Sequence, residues 1–372
     1  MKLLWSILLL SILFSCASKN DIGNRDYKVL KTDIYTLKNP PLVGTTISDQ
    51  KIYAGGFSGL AFKEKSQGEY VFLSNTDRGP NGFQVDIDRP FLLPEFAPTI
   101  YTIKTNSEKK ELEISEKLEI KRKNNSPITG LPNIRTEENP VDVFGYMTSL
   151  DIDGLDVEGI VLDGEGGYWV SDEYSPSLVH LNSNGKIIKR LTPGAELPKV
   201  YNERKPNKGF EGIAKIDNHI LGFLQAPLEL DKKFNRIVDV DLDSLKTTAE
   251  YFYPLDSKSD RLSDAFALAD KSILVVEQNG KTGEESYKKV YRIIPQKSDE
   301  ILSKSLILDL DQTPLKVHGK IEGITAIDKR HLALINDNDF GIGNKTDFKT
   351  GKTPLSEEYS ELAIIELDQD LY

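Results

Sequence analysis

Short apolar runs separated by polar turns recur from residue 58 onward, and each copy opens in the same way. An acidic or small polar residue, then a glycine or other small residue, leads into an apolar run. A polar turn follows, and a second apolar run ends in Asp, Glu, Asn or Gln. The copies open at Ser58-Gly59-Leu60, Glu158-Gly159-Ile160, Glu211-Gly212-Ile213, Asp264-Ala265-Phe266 and Glu322-Gly323-Ile324. From residue 158 the starts lie 53, 53 and 58 residues apart, whereas the first gap is 100. A period near 50 made of short strands predicts an all-β fold, a β-propeller, with four strands per blade around a central channel. Two further strand-like runs follow each pair. In one unit they flank Asn182-Ser183-Asn184-Gly185, a hairpin signal. Five units are visible and a sixth fits the doubled first gap, so six blades are favoured over five. The last unit stops at its third strand. Residues 27–37 alternate like a strand and are predicted to supply the missing fourth, closing the ring and removing an exposed edge. Two inserts, 78–99 with four prolines and 124–148 rich in Asn, Pro and Glu, read as long loops over one mouth.

The first residues follow another logic. Lys2 precedes an apolar stretch from Leu3 to Phe14, too short to span a bilayer but matching the core of a secretory signal. Leu13-Phe14-Ser15-Cys16 is similar to a lipoprotein box, and Cys16 is the sole cysteine of the chain. The expected organisation is a signal peptide at 1–15, a lipidated tether at 16–26 and one propeller domain at 27–372. That places the protein at the bacterial cell envelope, attached by lipid alone.

Strand geometry brings the acids together. The first acidic residue of a copy precedes the innermost strand and the second follows the strand that returns antiparallel to it, so both lie at the same end of the hairpin. Stacking blades around an axis then gathers Asp77, Glu158, Asp172, Glu173, Glu211, Asp264, Glu277, Glu322, Asp337 and Asp339 around one mouth. Like charges crowded in a narrow channel raise one another's pKa unless cations intervene. Oxygen ligands with only four histidines and one cysteine in 372 residues select calcium, with magnesium second. The expected metal ligands are Asp77, Glu158, Asp172, Glu173, Glu211, Glu277, Glu322, Asp337 and Asp339. An alternative is that acids before Gly-Ile strands only accept bonds from backbone amides of the neighbouring blade.

Arg78, Arg204, Lys208, His318 and Lys320 flank the same acids and are able to hold an anionic group such as phosphate. Tyr174, Asn81, Asn207 and Asn338 are further polar candidates. The 336–347 stretch carries scattered oxygen ligands, although Phe340 breaks the EF-hand pattern. A net charge of −11 argues against nucleic acid as a partner. The chain has no Gly-x-Ser-x-Gly elbow, Walker loop or dinucleotide fingerprint, and His180, His219 and His331 read as packing or turn residues.

Several motifs together carry a resemblance: Gly55-Gly56-Phe57-Ser58-Gly59-Leu60, Asp77-Arg78-Gly79-Pro80, Asp156-Val157-Glu158-Gly159-Ile160, Trp169-Val170-Ser171-Asp172-Glu173-Tyr174-Ser175-Pro176, Asn207-Lys208-Gly209-Phe210-Glu211-Gly212-Ile213 and Ile321-Glu322-Gly323-Ile324. The chain resembles the phytase-like family named for esterase-like activity of phytase, across roughly 55–367. The resemblance implies an exported propeller related to calcium-dependent phytases, acting on phosphomonoesters. Glu158, Asp172, Glu173, Glu211 and Glu322 would then be catalytic, and Arg78, Tyr174, Lys208 and Lys320 would hold a small anionic substrate. A ligand-binding lipoprotein and a metal-dependent lactonase or esterase on the same architecture stand beside that reading.

Overall fold

Each copy of the repeat begins a four-stranded antiparallel meander in the computed structural model, which describes residues 27–134 and 137–372. Sheet I comprises Phe57–Ser66, Glu69–Thr76, Thr99–Asn106 and Glu111–Glu119. Sheet II comprises Val157–Leu162, Tyr168–Asp172, Ser177–Leu181 and Ile187–Leu191. Sheet III runs through Phe210–Ile216, His219–Leu224, Phe234–Asp241 and Lys246–Pro254, and sheet IV through Arg261–Ala267, Ile273–Gln278, Lys288–Ile293 and Lys304–Asp309. Sheet V has three sequential strands, Ile321–Ala326, His331–Asn336 and Glu361–Leu367. Its fourth is Val29–Thr36, antiparallel to the third with Thr32 opposite Ile365 and Ile34 opposite Ala363. One parallel bridge, Thr36 to Glu111, links the outer edges of sheets V and I.

Apolar layers lie between successive sheets. Leu274 and Val276 of sheet IV pack with Ile324 and Leu334 of sheet V, and Ile335 and Leu362 of sheet V with Phe57 and Phe72 of sheet I. Similar layers join I to II, II to III and III to IV. The result is an all-β, propeller-like ring held by burial between faces that alternate along every strand.

The Gly-Ile signature has a steric cause. A Cβ on Gly59 would come 2.7 Å from the Ile160 amide nitrogen, and one on Gly159 would come 3.0 Å from the Ile213 nitrogen. On Gly212 it would lie 3.0 Å from the Ala265 nitrogen, and on Gly323 2.8 Å from the Ser58 carbonyl oxygen. Innermost strands approach one another here, backbone against backbone, and only glycine permits it. Each innermost hairpin also shifts register beside this point, between Phe57 and Leu60, Val157 and Ile160, Phe210 and Gly212, Leu262 and Ala265, and Ile321 and Gly323. Such bulges re-aim side chains.

Among the described residues the doubled gap holds one four-stranded sheet, sheet I, with no second one before sheet II, where a sixth unit was expected. Between Glu119 and Val157 the named strand among the described residues is Asn139–Val141, and it pairs in parallel with Asp88–Pro90 of the other insert. The 100-residue spacing is thus one sheet carrying two inserts that bind each other. The expected signal peptide, Cys16 and the tether lie outside the described residues. Among the described residues no helix is long and apolar enough to cross a membrane.

Candidate metal and anion site

The bulged starts of the innermost strands and the first insert line a cavity of about 300 Å³. Asp156, Glu158, Glu173, Glu211 and Glu322 form its acidic wall, with Asp77, Asp337 and Asp339 also lining it. Asp156, Glu158 and Glu173 offer oxygens within 4.8 Å of one another, and so do Glu158, Glu211 and Glu322. Glu158 belongs to both triplets, and all five residues are buried.

Local bonds hold these carboxylates in place. Ser58 of sheet I donates to Glu158 Oε2, and Gln225 donates to Glu211 Oε2 at 2.7 Å. Burial, and then the charges of Glu211, Asp156, Glu173 and Glu322, hold the Glu158 carboxyl well above the usual range. Glu211 is raised by burial and by Glu173 and Glu322, against the pull of Lys208 and Gln225. Glu173 is pushed up to about 7 by burial, with Lys208 opposing and Asp156 adding to the rise. Asp156 Oδ2 and Glu173 Oε1 are buried with no hydrogen-bond partner. Orphaned oxygens on crowded acids are what a hard cation would satisfy, so these residues fit a divalent ion with oxygen ligands.

Cationic groups line the same cavity: Arg78, Arg89, Lys208, Arg261 and Lys320. Arg78 is tied to Tyr174 Oη and Asn207 Oδ1, each at 3.0 Å, and lies 3.5 Å from Asp156 and Glu138. Arg89 is committed to Glu138, Asn81, Gln84 and the Gly82 carbonyl. Lys208 has a looser partner, Glu173 at 3.5 Å. Arg261 donates through Nε to Asp260 Oδ1 at 2.7 Å, and no hydrogen bond from its terminal amino groups is seen among the described residues, although Glu322 and Glu211 act on its charge.

Other expected site residues lie elsewhere. Asp172 does not line the cavity. It accepts from the amides of Asp156 (3.1 Å) and Tyr174 (3.2 Å) and from Ser177 Oγ (2.8 Å), so its work is to fix the turn that carries Glu173. Glu277 is likewise outside, buried within sheet IV against Tyr253 Oη (2.7 Å), the Asp256 amide (2.6 Å) and Lys304. Tyr174 supports Arg78 rather than lining the cavity. Arg204 forks onto Glu137, and His318 is held by Glu358 and Glu361. Asn81 and Asn207 do line the cavity, whereas Asn338 accepts from the Gly56 amide. In the 336–347 stretch, Asp337 and Asp339 bind Lys320. His180 stacks on Trp169 at 4.5 Å, and His219 and His331 pair with Asp239 and Asp328.

Bonding to a neighbouring sheet's backbone, the alternative role for the acids, falls mostly to other residues. Asn75 donates to the Val157 and Glu158 carbonyls, Ser171 to the Glu211 carbonyl, and Gln278 accepts from the Ile321 amide. Two acids also do it: Asp264 accepts from the amides of Ala265 (2.8 Å) and Ile324 (3.0 Å), and Asp156 Oδ1 accepts from the Arg78 amide at 3.0 Å.

Asp156, Arg261 and Arg89 are the functional candidates that sequence reasoning missed. Asp156 stands two residues before Glu158, on the same face of an extended segment. Arg261 precedes Asp264 by three residues, as Lys208 precedes Glu211. Arg89 gives no comparable signal, since an insert delivers it.

Residues 52–340 match the family model described as Phytase-like, esterase-like activity of phytase. The chain belongs to this phytase-like family. A curated relative, an uncharacterized secreted protein of Arthroderma benhamiae, is 24% identical over 253 residues, covering 52% of this phytase-like chain and 49% of the relative. The chain therefore spans about half the length of that relative. Its likeness to solved structures is distant. The catalytic domain of a Coprinopsis cinerea GH62 α-L-arabinofuranosidase gives a TM-score of 0.43 at 7% identity over 91% of this chain and 98% of the other. A PQQ-bound aldose sugar dehydrogenase from Streptomyces coelicolor gives 0.38 at 9% over 91% and 99%.

Proposed function

We propose that this phytase-like protein is an exported, calcium-dependent hydrolase of phosphomonoesters, built on a five-bladed propeller whose last blade is completed by the N-terminal strand. One observation carries the reading: two buried carboxylate triplets share Glu158 inside a cavity that is also lined by cations with donor capacity to spare. Asp156, Glu158, Glu173, Glu211 and Glu322 would hold the metal. A calcium ion held by these residues would supply positive charge beside a phosphate ester and a lowered pKa for water near it.

The chain's own groups supply positioning. Arg261 and Lys208 reach the cavity from neighbouring innermost strands and suit the non-bridging oxygens of a phosphate. Ser58 and Gln225 orient Glu158 and Glu211. Asn81, Phe83 and Arg89 come from the first insert and narrow the cavity, favouring a compact phosphomonoester over a bulky one. Export is supported by the apolar segment at 3–14 and by the secreted relative. Cys16 would then carry the lipid anchor at the cell envelope.

The test is phosphate release from a chromogenic phosphomonoester and from phytate, with calcium and with chelator. Release that needs calcium supports the proposal. Turnover of lactones or carboxyl esters without phosphate release contradicts it, as does the absence of any turnover.

A further inference from the structure

Lys320 splits the acidic mouth into two chemically different halves. Its Nζ lies 2.8 Å from Asp337 Oδ2 and 2.6 Å from Asp339 Oδ1, and it shares the cavity with Asp77. Both oxygens of Asp337 are thereby engaged, since Asp337 Oδ1 accepts from the Asp339 amide at 2.6 Å, and Asp77 Oδ1 accepts from the Gly79 amide at 2.8 Å. Across the cavity the pattern reverses. Asp156 Oδ2 and Glu173 Oε1 accept no hydrogen bond, and their cationic neighbours stand further off, Arg78 at 3.5 Å from Asp156 Oδ2 and Lys208 at 3.5 Å from Glu173 Oε1. Both metal-sized triplets among the described residues lie on that side, and neither includes Asp77, Asp337 or Asp339.

The loop that brings Asp339 to Lys320 is held under strain. Asp339 and Phe340 have φ of 49° and 55°, in the left-handed region that a phenylalanine rarely adopts. The Phe340 ring pins it, packed edge-on against Phe96 at 5.4 Å and seated on Gly56, where a Cβ would come 2.1 Å from the ring. A strained conformation persists only where its surroundings enforce it, and here it delivers a carboxylate to an ammonium.

We infer that Lys320 is a built-in cation that takes the place of a metal ion on the Asp77, Asp337 and Asp339 side, so that divalent ions are confined to Asp156, Glu158, Glu173, Glu211 and Glu322. The inference rests on the reading of this cavity as a metal centre and assigns which acids are left to it. A tethered ammonium balances charge without a coordination shell, so its removal should open a site that the parent lacks.

Calcium bound per chain, counted by equilibrium dialysis with elemental analysis, tests this on the full folded chain. Asp339→Asn should leave the parent's count unchanged, and Lys320→Met should raise it by one, with a larger rise in thermal midpoint on adding calcium. Loss of an ion in Asp339→Asn, or an unchanged count in Lys320→Met, overturns the inference. If Lys320→Met fails to fold, Lys320→Gln, which keeps a hydrogen-bond donor, is counted against the same two outcomes. A parent that binds no calcium refutes the metal-centre reading, while the difference between the Lys320 variant and the parent still decides the role of Lys320.

Discussion

Asp264 and Arg261 sit three residues apart on one strand and act in opposite ways. Burial pushes the Asp264 carboxyl up to about 8, against the backbone amides of Ile324, Ala265, Ile213 and Leu60 that pull it down. Those amides belong to four different sheets, so this side chain ties innermost strands together near the axis. Asp264→Asn turns a donor toward donors, and should cost about 1–3 kcal/mol, the penalty of leaving buried groups unpaired; chemical denaturation measures it. Arg261 lines the cavity with no hydrogen bond from its terminal amino groups among the described residues. Arg261→Ala should weaken inorganic phosphate binding by about 10-fold or more, the worth of a charge-assisted bond, and should raise KM more than it lowers kcat. Unchanged phosphate affinity would remove Arg261 from the site. His318 is a third case: burial works against its charge, yet bonds to Glu358 and Glu361 lift its pKa from 6.5 to about 9. The folded form binds this proton more tightly than the unfolded one. Its stabilisation is therefore full below about pH 6.5 and lost as pH rises through about 9. His318→Gln should flatten that part of the stability profile in thermal melts.

At the scale of strands, the repeat was legible because the same steric event happens in four of its five copies, the other having Ala265 at that place. Gly59, Gly159, Gly212 and Gly323 are spaced by the approach of neighbouring backbones, and the Ser58, Glu158, Glu211 or Glu322 before each is re-aimed by a bulge. Gly159→Ala would put a methyl 2.8 Å from Ile213 Cγ2 and 3.0 Å from the Glu211 carbonyl oxygen. It should destabilise by about 1–3 kcal/mol, as overpacking does, and a wild-type melting curve would contradict the account. The number of units was not legible, because spacing alone does not distinguish a degenerate blade from an insert. The pairing of Asp88–Pro90 with Asn139–Val141 is a contact between distant segments with no periodic signature. For the same reason Asp172 and Glu277 were indistinguishable in sequence from cavity-lining acids. One residue of displacement along a strand end turns a side chain from the channel to a turn or an interior, and Asp172 faces amides while Glu173 beside it faces the cavity. Deleting 27–37 should bare the Glu361–Leu367 edge and produce aggregation in light scattering.

The whole molecule is a device for collecting carboxylates that are far apart in sequence. Folding Glu158, Glu211 and Glu322 into one wall without a counter-ion costs energy: burial and then the neighbouring charges hold the Glu158 and Glu211 carboxyls well above the usual range, and burial first of all pushes Glu173 beside them up to about 7. A carboxyl raised in the folded state favours folding when protonated, so the metal-free protein should lose stability as pH rises from about 4 toward about 7, and calcium should restore much of the loss. Calcium must displace those protons, so its affinity should fall as pH drops below 7, with proton release seen as a dependence of binding heat on the buffer. The most direct measurement is a calorimetric calcium titration at neutral pH of the parent, Glu158→Gln and Asp172→Asn. The account predicts saturable binding by the parent, its loss in Glu158→Gln because that residue joins both triplets, and its retention in folded Asp172→Asn. A parent that takes up no calcium, or a Glu158→Gln variant that binds as the parent does, would contradict it.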